Sequence, residues 1–156
     1  GRSEVKFSSI QLLQLMMMAA DGWYIYNGTG VIPPGVTRVR IHKSLTVIPA
    51  RAFYENRNIE ELECHDRVKT VKKYAFCGCR SLRRVIMPGV EVVERWAFDG
   101  CKALAIVECD KLERIGYWAF EFCESLTSIN LPSAKIVKHY AFNYGKALTD
   151  VKFGNK

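Results

Sequence analysis

Three histidines and six cysteines carry most of the side-chain chemistry available to this 156-residue chain. His42, His65 and Cys64 are the first place to look for a metal, since zinc takes imidazole and thiolate ligands at about 2.0–2.3 Å. The pattern around them is that of short strands, however, and alternation along a strand sends Cys64 inward and His65 outward. They do not converge, and His42 and His65 read as neighbouring surface histidines. His139 stands alone in a loop, and Cys77-x-Cys79 has no second pair at zinc spacing. Cys64-His65-Asp66 contains the residue types of a catalytic triad, but adjacency in sequence is not triad geometry. There is no Gly-rich phosphate loop, nucleophile elbow or His-Glu-x-x-His helix. No catalytic residue, metal site or cofactor is therefore expected, and the chain is expected not to be an enzyme.

The residues that do recur are apolar. Ala-Phe occurs at Ala52-Phe53, Ala75-Phe76, Ala97-Phe98, Ala119-Phe120 and Ala141-Phe142, at spacings of 23, 22, 22 and 22. Five residues before the Phe stand Ile48, Val71, Val93, Ile115 and Val137; eight before stand Leu45, Val68, Val90, Leu112 and Ala134. Three after stand Asn56, Cys79, Cys101, Cys123 and Gly145; six after, Ile59, Leu82, Leu104, Leu126 and Leu148. Nine after come Leu62, Val85, Val107, Ile129 and Val151, and eleven after come Cys64, Met87, Cys109, Leu131 and Phe153. The last two columns alternate with the period of a strand. The Ala-Phe segment, flanked by Gly78, Asp99-Gly100 and Gly145, fits one or two helical turns. Each unit thus reads as strand, turn and short helical return. No single unit can bury its own apolar edge, so the copies must stack, with their strands in parallel. At ~4.8 Å per strand, five copies make a slab roughly 25 Å long.

In that stack Cys79, Cys101 and Cys123 lie one strand spacing apart with parallel side chains, whereas a disulfide needs its Cβ atoms at ~3.8 Å. A ladder of buried thiols donating weakly to turn carbonyls is expected, which suits a reducing compartment.

The unit Cys79-x-x-Leu82-x-x-Val85-x-Met87-Pro88, followed by Val93-x-x-x-Ala97-Phe98, resembles the leucine-rich repeat family, and within it the BspA-like (Treponema-type) subclass. The resemblance covers residues 36 to 154; the first copy departs from it with Asn56 in the cysteine column and the last with Gly145. It implies an α/β solenoid, a right-handed coil with a parallel β-sheet on one face and short helices on the other.

The ends differ from the repeats. Val36, Val39 and Ile41 form the strand columns of an earlier half-copy. Trp23 to Ile32 reads as a β-hairpin turning at Asn27-Gly28, which also accounts for the lone sequon Asn27-Gly28-Thr29. Ser8 or Ser9 is placed to cap a helix running to about Ala20. The expected division is residues 1–35 as helix and hairpin cap, and 36–156 as a solenoid of about five 22-residue repeats. No polar closing element follows Phe153. The last coil is left open, continued in a longer protein, or covered by another chain, and end-to-end association through it is one expectation.

Composition bounds the rest. At 49% hydrophobic and 25% charged the chain is not intrinsically disordered. Its longest apolar-rich stretch, Ile10 to Ala20, is eleven residues and too short to span a bilayer, which needs roughly 20. It also makes a poor secretory signal. The net charge of +7 permits nucleic-acid or anionic-membrane binding without any dense basic run to demand it.

Two exposed columns remain. Outward strand residues are Arg38 and Arg40, Glu61 and Glu63, Arg84 and Ile86, Ile106 and Glu108, then Ser128, Asn130, Asp150 and Lys152. The first strands alternate in sign, so they pair with each other or meet a protein partner, with Ile86 and Ile106 as an apolar centre. Two before the Phe stand Arg51, Tyr74, Trp96, Trp118 and Tyr140, near Lys72, Lys73, Arg95 and Lys138. This stripe packs between coils, or it stacks nucleobases or anchors a partner. The favoured reading is a non-catalytic protein–protein interaction scaffold, cytoplasmic or nuclear. The alternative, which the resemblance implies, is a cell-surface adhesion or recognition module; nucleic-acid binding through the aromatic, basic side ranks third.

Overall fold

A computed structural model describes residues 2–154; the outer ends of the two expected segments, Gly1 and Asn155–Lys156, lie outside the described residues. The elements in order are α1 (Ser9–Met16), β1 (Tyr24–Tyr26), β2 (Arg38–Ile41), β3 (Val47–Ile48), β4 (Glu61–Glu63), β5 (Thr70–Val71), β6 (Arg84–Ile86), β7 (Val92–Val93), β8 (Ile106–Glu108), β9 (Arg114–Ile115), β10 (Ser128–Leu131), β11 (Ile136–Val137) and β12 (Asp150–Phe153). They form a parallel β-solenoid of about five turns. The front sheet has the order β1-β2-β4-β6-β8, and a back sheet of two-residue strands has the order β11-β9-β7-β5-β3. Every strand pairing is parallel, and from β2 onward the partners stand one repeat apart, as in Glu61↔Arg84 and Val71↔Val93; β1 joins β2 at the shorter offset Tyr24↔Val39, and an isolated antiparallel bridge links Met18 to Tyr24.

The columns dictate this. Leu62, Val85, Val71 and Val93 all point between the sheets and have no exposed surface. The phenylalanines fill the far end of the core as a stack, with ring centroids 4.9 Å apart for Phe53–Phe76, 5.0 Å for Phe76–Phe98, 5.1 Å for Phe98–Phe120 and 5.3 Å for Phe120–Phe142. Tyr26 closes the stack against Phe53 at 4.8 Å.

Two expectations need correction. The short helices of the return side do not form; among the described residues the only α-helix is α1. Each coil instead has left-handed residues two before and two after its Phe: Tyr74, Trp96 and Trp118 at φ 59°, 55° and 54°, and Gly78 and Gly100 at 75° and 72°. A left-handed residue ends any α-helical run and turns alternate N–H groups along the stack. The Phe76 N–H donates to the Ala97 carbonyl at 2.7 Å and the Phe98 N–H to Ala119 at 2.8 Å, while the Ala75 and Cys77 N–H groups close local turns. Phase within a period cannot distinguish a helical return from one bonded to the next coil.

The hairpin also does not form. Asn27-Gly28 makes a local turn, with the Thr29 N–H donating to Asn27 Oδ1 at 3.2 Å, but β1 pairs in parallel with β2 as Tyr24↔Val39 and Tyr26↔Ile41. That register buries both tyrosines over the core edge, which residues 29–32 folded back on β1 would not achieve. The helix expectation holds in type: Ser8 caps α1, its Oγ accepting from the Gln11 N–H at 3.1 Å while Gln11 Oε1 accepts from the Ser8 N–H at 2.8 Å. The helix stops at Met16 rather than Ala20, and none of its residues is buried.

The front ladder is interrupted once. β10 pairs only with β12, and β8 ends the five-stranded sheet, while the back sheet runs on unbroken through β9 and β11.

Candidate functional site

The thiols sit in the interior. The Cys79, Cys101 and Cys123 Sγ–H groups donate to the carbonyls of Phe53, Phe76 and Phe98 at 3.0, 3.1 and 3.3 Å, each one coil back. Burial pushes all three well above the ordinary thiol range and raises Cys64 and Cys109 to about 12. All six cysteines are free. In the first copy Asn56 replaces the thiol, and its Oδ1 accepts from the Asn58 and Ile59 N–H groups at 2.9 and 3.1 Å. Cys64 is buried, whereas His65 faces outward and donates from Nε2 to the His42 carbonyl at 3.1 Å. Among the described residues no group of three or more His, Cys, Asp or Glu side chains is arranged to hold a metal ion.

Cys77 and Asp99 lie one residue past the phenylalanines, half-buried, with Cys77 Sγ 3.8 Å from Asp99 Oδ2. Burial, then the neighbouring Glu121 carboxylate, raises Asp99 to about 6, against a lowering contribution from the Cys77 thiol. Burial, followed by the Asp99 charge, raises Cys77 to about 11.

The front face carries its charges in pairs. Glu63 accepts from Arg40 and from Arg84, both at 3.2 Å, and Arg83 donates to Glu61 at 2.8 Å. Arg40 also meets Asp21 at 2.6 Å, and its guanidinium lies 4.5 Å from the Trp23 ring centroid, with that of Arg38 at 5.3 Å. Asp21 and Trp23 extend this face beyond the strands named from sequence; Trp23 reads from sequence as the start of the hairpin, and Asp21 falls between that hairpin and the helix expected to end near Ala20. Ile86 pairs with Glu108 and Arg84 with Ile106, so Ile86 and Ile106 meet on a diagonal rather than directly. Ile106 is 47% exposed and Ile86 is half-buried.

On the back, the aromatic column is a ladder of rings: Tyr74–Trp96 at 5.1 Å, Trp96–Trp118 at 4.9 Å and Trp118–Tyr140 at 5.7 Å, all within 9° of parallel. Arg51 covers its first rung, 4.6 Å from the Tyr74 centroid. Tyr74, Trp96 and Trp118 are half-buried and Tyr140 is 60% exposed. The ring faces are occupied by one another, which fits packing between coils and leaves no slot for a base between rungs. Beside the ladder, an open groove of about 700 Å³ runs across β7, β9 and β11. Lys72, Lys73, Arg95 and Lys138, named from sequence, line it together with Arg114, which the sequence reading missed. Its signal was its phase, since Arg114 stands six before Phe120 in the column of Val47, Thr70, Val92 and Ile136, which with the next residue makes each back strand.

Comparison with known proteins agrees with this geometry. A family model described as BspA type leucine rich repeat region matches residues 46–156 in six copies. No curated protein sequence matches the chain. Among solved structures, a leucine rich repeat protein of T. pallidum superposes with a TM-score of 0.71 at 22% identity, covering 88% of this chain and 81% of that one. A leucine-rich repeat protein from Bacteroides ovatus gives 0.64 at 28% identity over 82% of this chain, and a leucine rich cell surface protein from Faecalibacterium prausnitzii gives 0.57 at 21% over 87%. This chain spans 33% and 40% of the length of those last two.

Proposed function

The chain belongs to the BspA-type leucine-rich repeat family, and from that premise we propose that it is a non-catalytic protein–protein interaction scaffold. Proteins of this repeat class commonly bind other proteins. The observation that supports this reading most is the front ladder, where Arg38, Arg40, Glu61, Glu63, Arg84, Ile86, Ile106 and Glu108 stand in register on strands whose inner faces are locked into one core. Side chains held this way lose little freedom on binding. The filled apolar interior supports a non-catalytic role, since catalysis needs a pocket with converging polar groups. We assign the aromatic ladder Tyr74, Trp96, Trp118 and Tyr140 to packing, residues 1–35 to an amino-terminal cap and 36–156 to the repeat solenoid. The six free thiols support a cytoplasmic or nuclear location. The F. prausnitzii neighbour, a leucine rich cell surface protein, favours a second reading, a cell-surface recognition module; fractionation of cells expressing the tagged full-length protein separates the two. No helix among the described residues is long and apolar enough to cross a membrane.

The test is affinity capture with wild-type protein and with Ile86→Asp/Ile106→Asp. The expected result is a reproducible set of proteins captured by the wild type and lost with the double variant. Identical sets from two folded proteins would remove the front face from the proposal.

A further inference from the structure

We propose that the back-sheet groove is a second binding site, and that it takes an extended peptide segment that presents carboxylate and apolar side chains together on one face. The contrast between the two faces carries this. On the front, Arg40, Arg83 and Arg84 are each bonded to a carboxylate of this chain. In the groove, Lys72, Lys73, Arg95, Arg114 and Lys138 are all exposed, and among the described residues none of them forms an ion pair. The groove has one acid, Glu94, and its Oε2 is engaged by the Lys73 backbone N–H at 2.9 Å. Five cations facing a single committed carboxylate leave a net positive field in a concave surface, where it is focused.

The remaining lining decides which kind of anion fits. Tyr117 and Ile136 are 40% and 42% exposed at the groove, and Lys138 Nζ lies 5.6 Å from the Tyr117 ring centroid. Within the column Lys72, Glu94, Gly116 and Lys138, Gly116 contributes no side chain, and coils pack so closely there that a Cβ would lie 2.5 Å from the Arg95 nitrogen. Cations interleaved with apolar groups match an extended segment whose groove-facing side chains, every second residue along it, include both carboxylates and apolar groups. A single-stranded nucleic acid stacks successive bases on a run of open aromatic faces, whereas the adjacent ladder has spent its faces on itself and Tyr117 alone among the groove-lining residues carries a ring. The site lies on the opposite side of the solenoid from the proposed front face and does not depend on it.

The test is fluorescence anisotropy of the full chain with a fluorescein-labelled peptide of Glu, Ile and Ser. A peptide with Gln for Glu and a labelled oligo-dT of similar length serve as comparison probes. The expected result is binding of the Glu peptide that weakens with salt and falls at least ~10-fold in Lys73→Glu/Arg95→Glu, against less than ~2-fold in Arg57→Glu/Lys146→Glu, which makes the same charge change outside the groove. On the wild type, lysine acetylation should show Lys72, Lys73 and Lys138 protected by the peptide and Lys146 unprotected, a readout that does not rely on any variant folding. Equal loss in both double variants, tighter binding of the Gln peptide or of oligo-dT, or a groove filled instead by a second copy of the chain (dimerisation abolished by Lys73→Glu/Arg95→Glu) would each overturn the proposal.

Discussion

Single side chains in this solenoid differ in worth according to what they touch. Phe98 is fully buried between Phe76 and Phe120. Truncation to Ala should cost about 3–5 kcal/mol, because neighbouring rungs cannot close over the void. Arg84→Ala should cost less than ~1 kcal/mol, since its bond to Glu63 is part-exposed and Glu63 retains Arg40. Urea denaturation of both variants checks the pair. Asp99 gives a pH signature. Its folded value, about 6, lies above the ordinary carboxyl value of 3.8, so the folded state binds the proton more tightly than the unfolded chain does. This residue's contribution to stability is therefore lost as pH rises through about 6 and regained as pH falls toward the unfolded value. Stability measured between pH 7 and 5 should gain less on acidification in Asp99→Asn than in the wild type. Equal profiles would show that Asp99 does not titrate there.

At the scale of the element, the return segment is built by backbone conformation rather than by helix propensity. Gly100 sits at φ +72°, and a Cβ there would meet only Gly78 backbone atoms at 3.7 and 3.8 Å. Gly100→Ala therefore tests conformation without a clash, and a loss of about 1–2 kcal/mol is expected. Thermal denaturation that shows no loss would mean that the turn has another way to form. Elsewhere in the same column the position is held by Glu55, Phe122 and Tyr144, all left-handed. Phe122 and Tyr144 stack on each other at 4.7 Å, a contact worth about 0.5–1.5 kcal/mol that offsets part of the conformational cost.

Across the whole molecule, stability is a sum over coils and the interfaces between them. Those interfaces are not equal. The front ladder is interrupted between β8 and β10, while the back sheet continues. Val107 is half-buried where Val85 is fully enclosed. Hydrogen exchange should therefore release the amides of β12 before those of β4 and β6, which lie between paired strands on both sides. Uniform protection along the chain would mean that the solenoid opens as one unit despite the gap.

Much of this was legible in the chain itself. A side chain repeated every 22 residues must stack on its own copy if the units stack at all. The Ala-Phe columns, the cysteine column and the in-register pairing of Arg38, Glu61 and Arg84 followed from spacing alone, because in a solenoid the contact one coil away is always the residue one period away. Periodicity is silent about conformation within the period. Whether Tyr74 and Trp96 begin a helix or sit at positive φ, and whether Tyr24-Ile25-Tyr26 folds back at Asn27-Gly28 or runs parallel to Arg38–Ile41, depended on where the buried rings find a core. Only the assembled stack supplies that core, and with it the groove where five cations from successive coils come together.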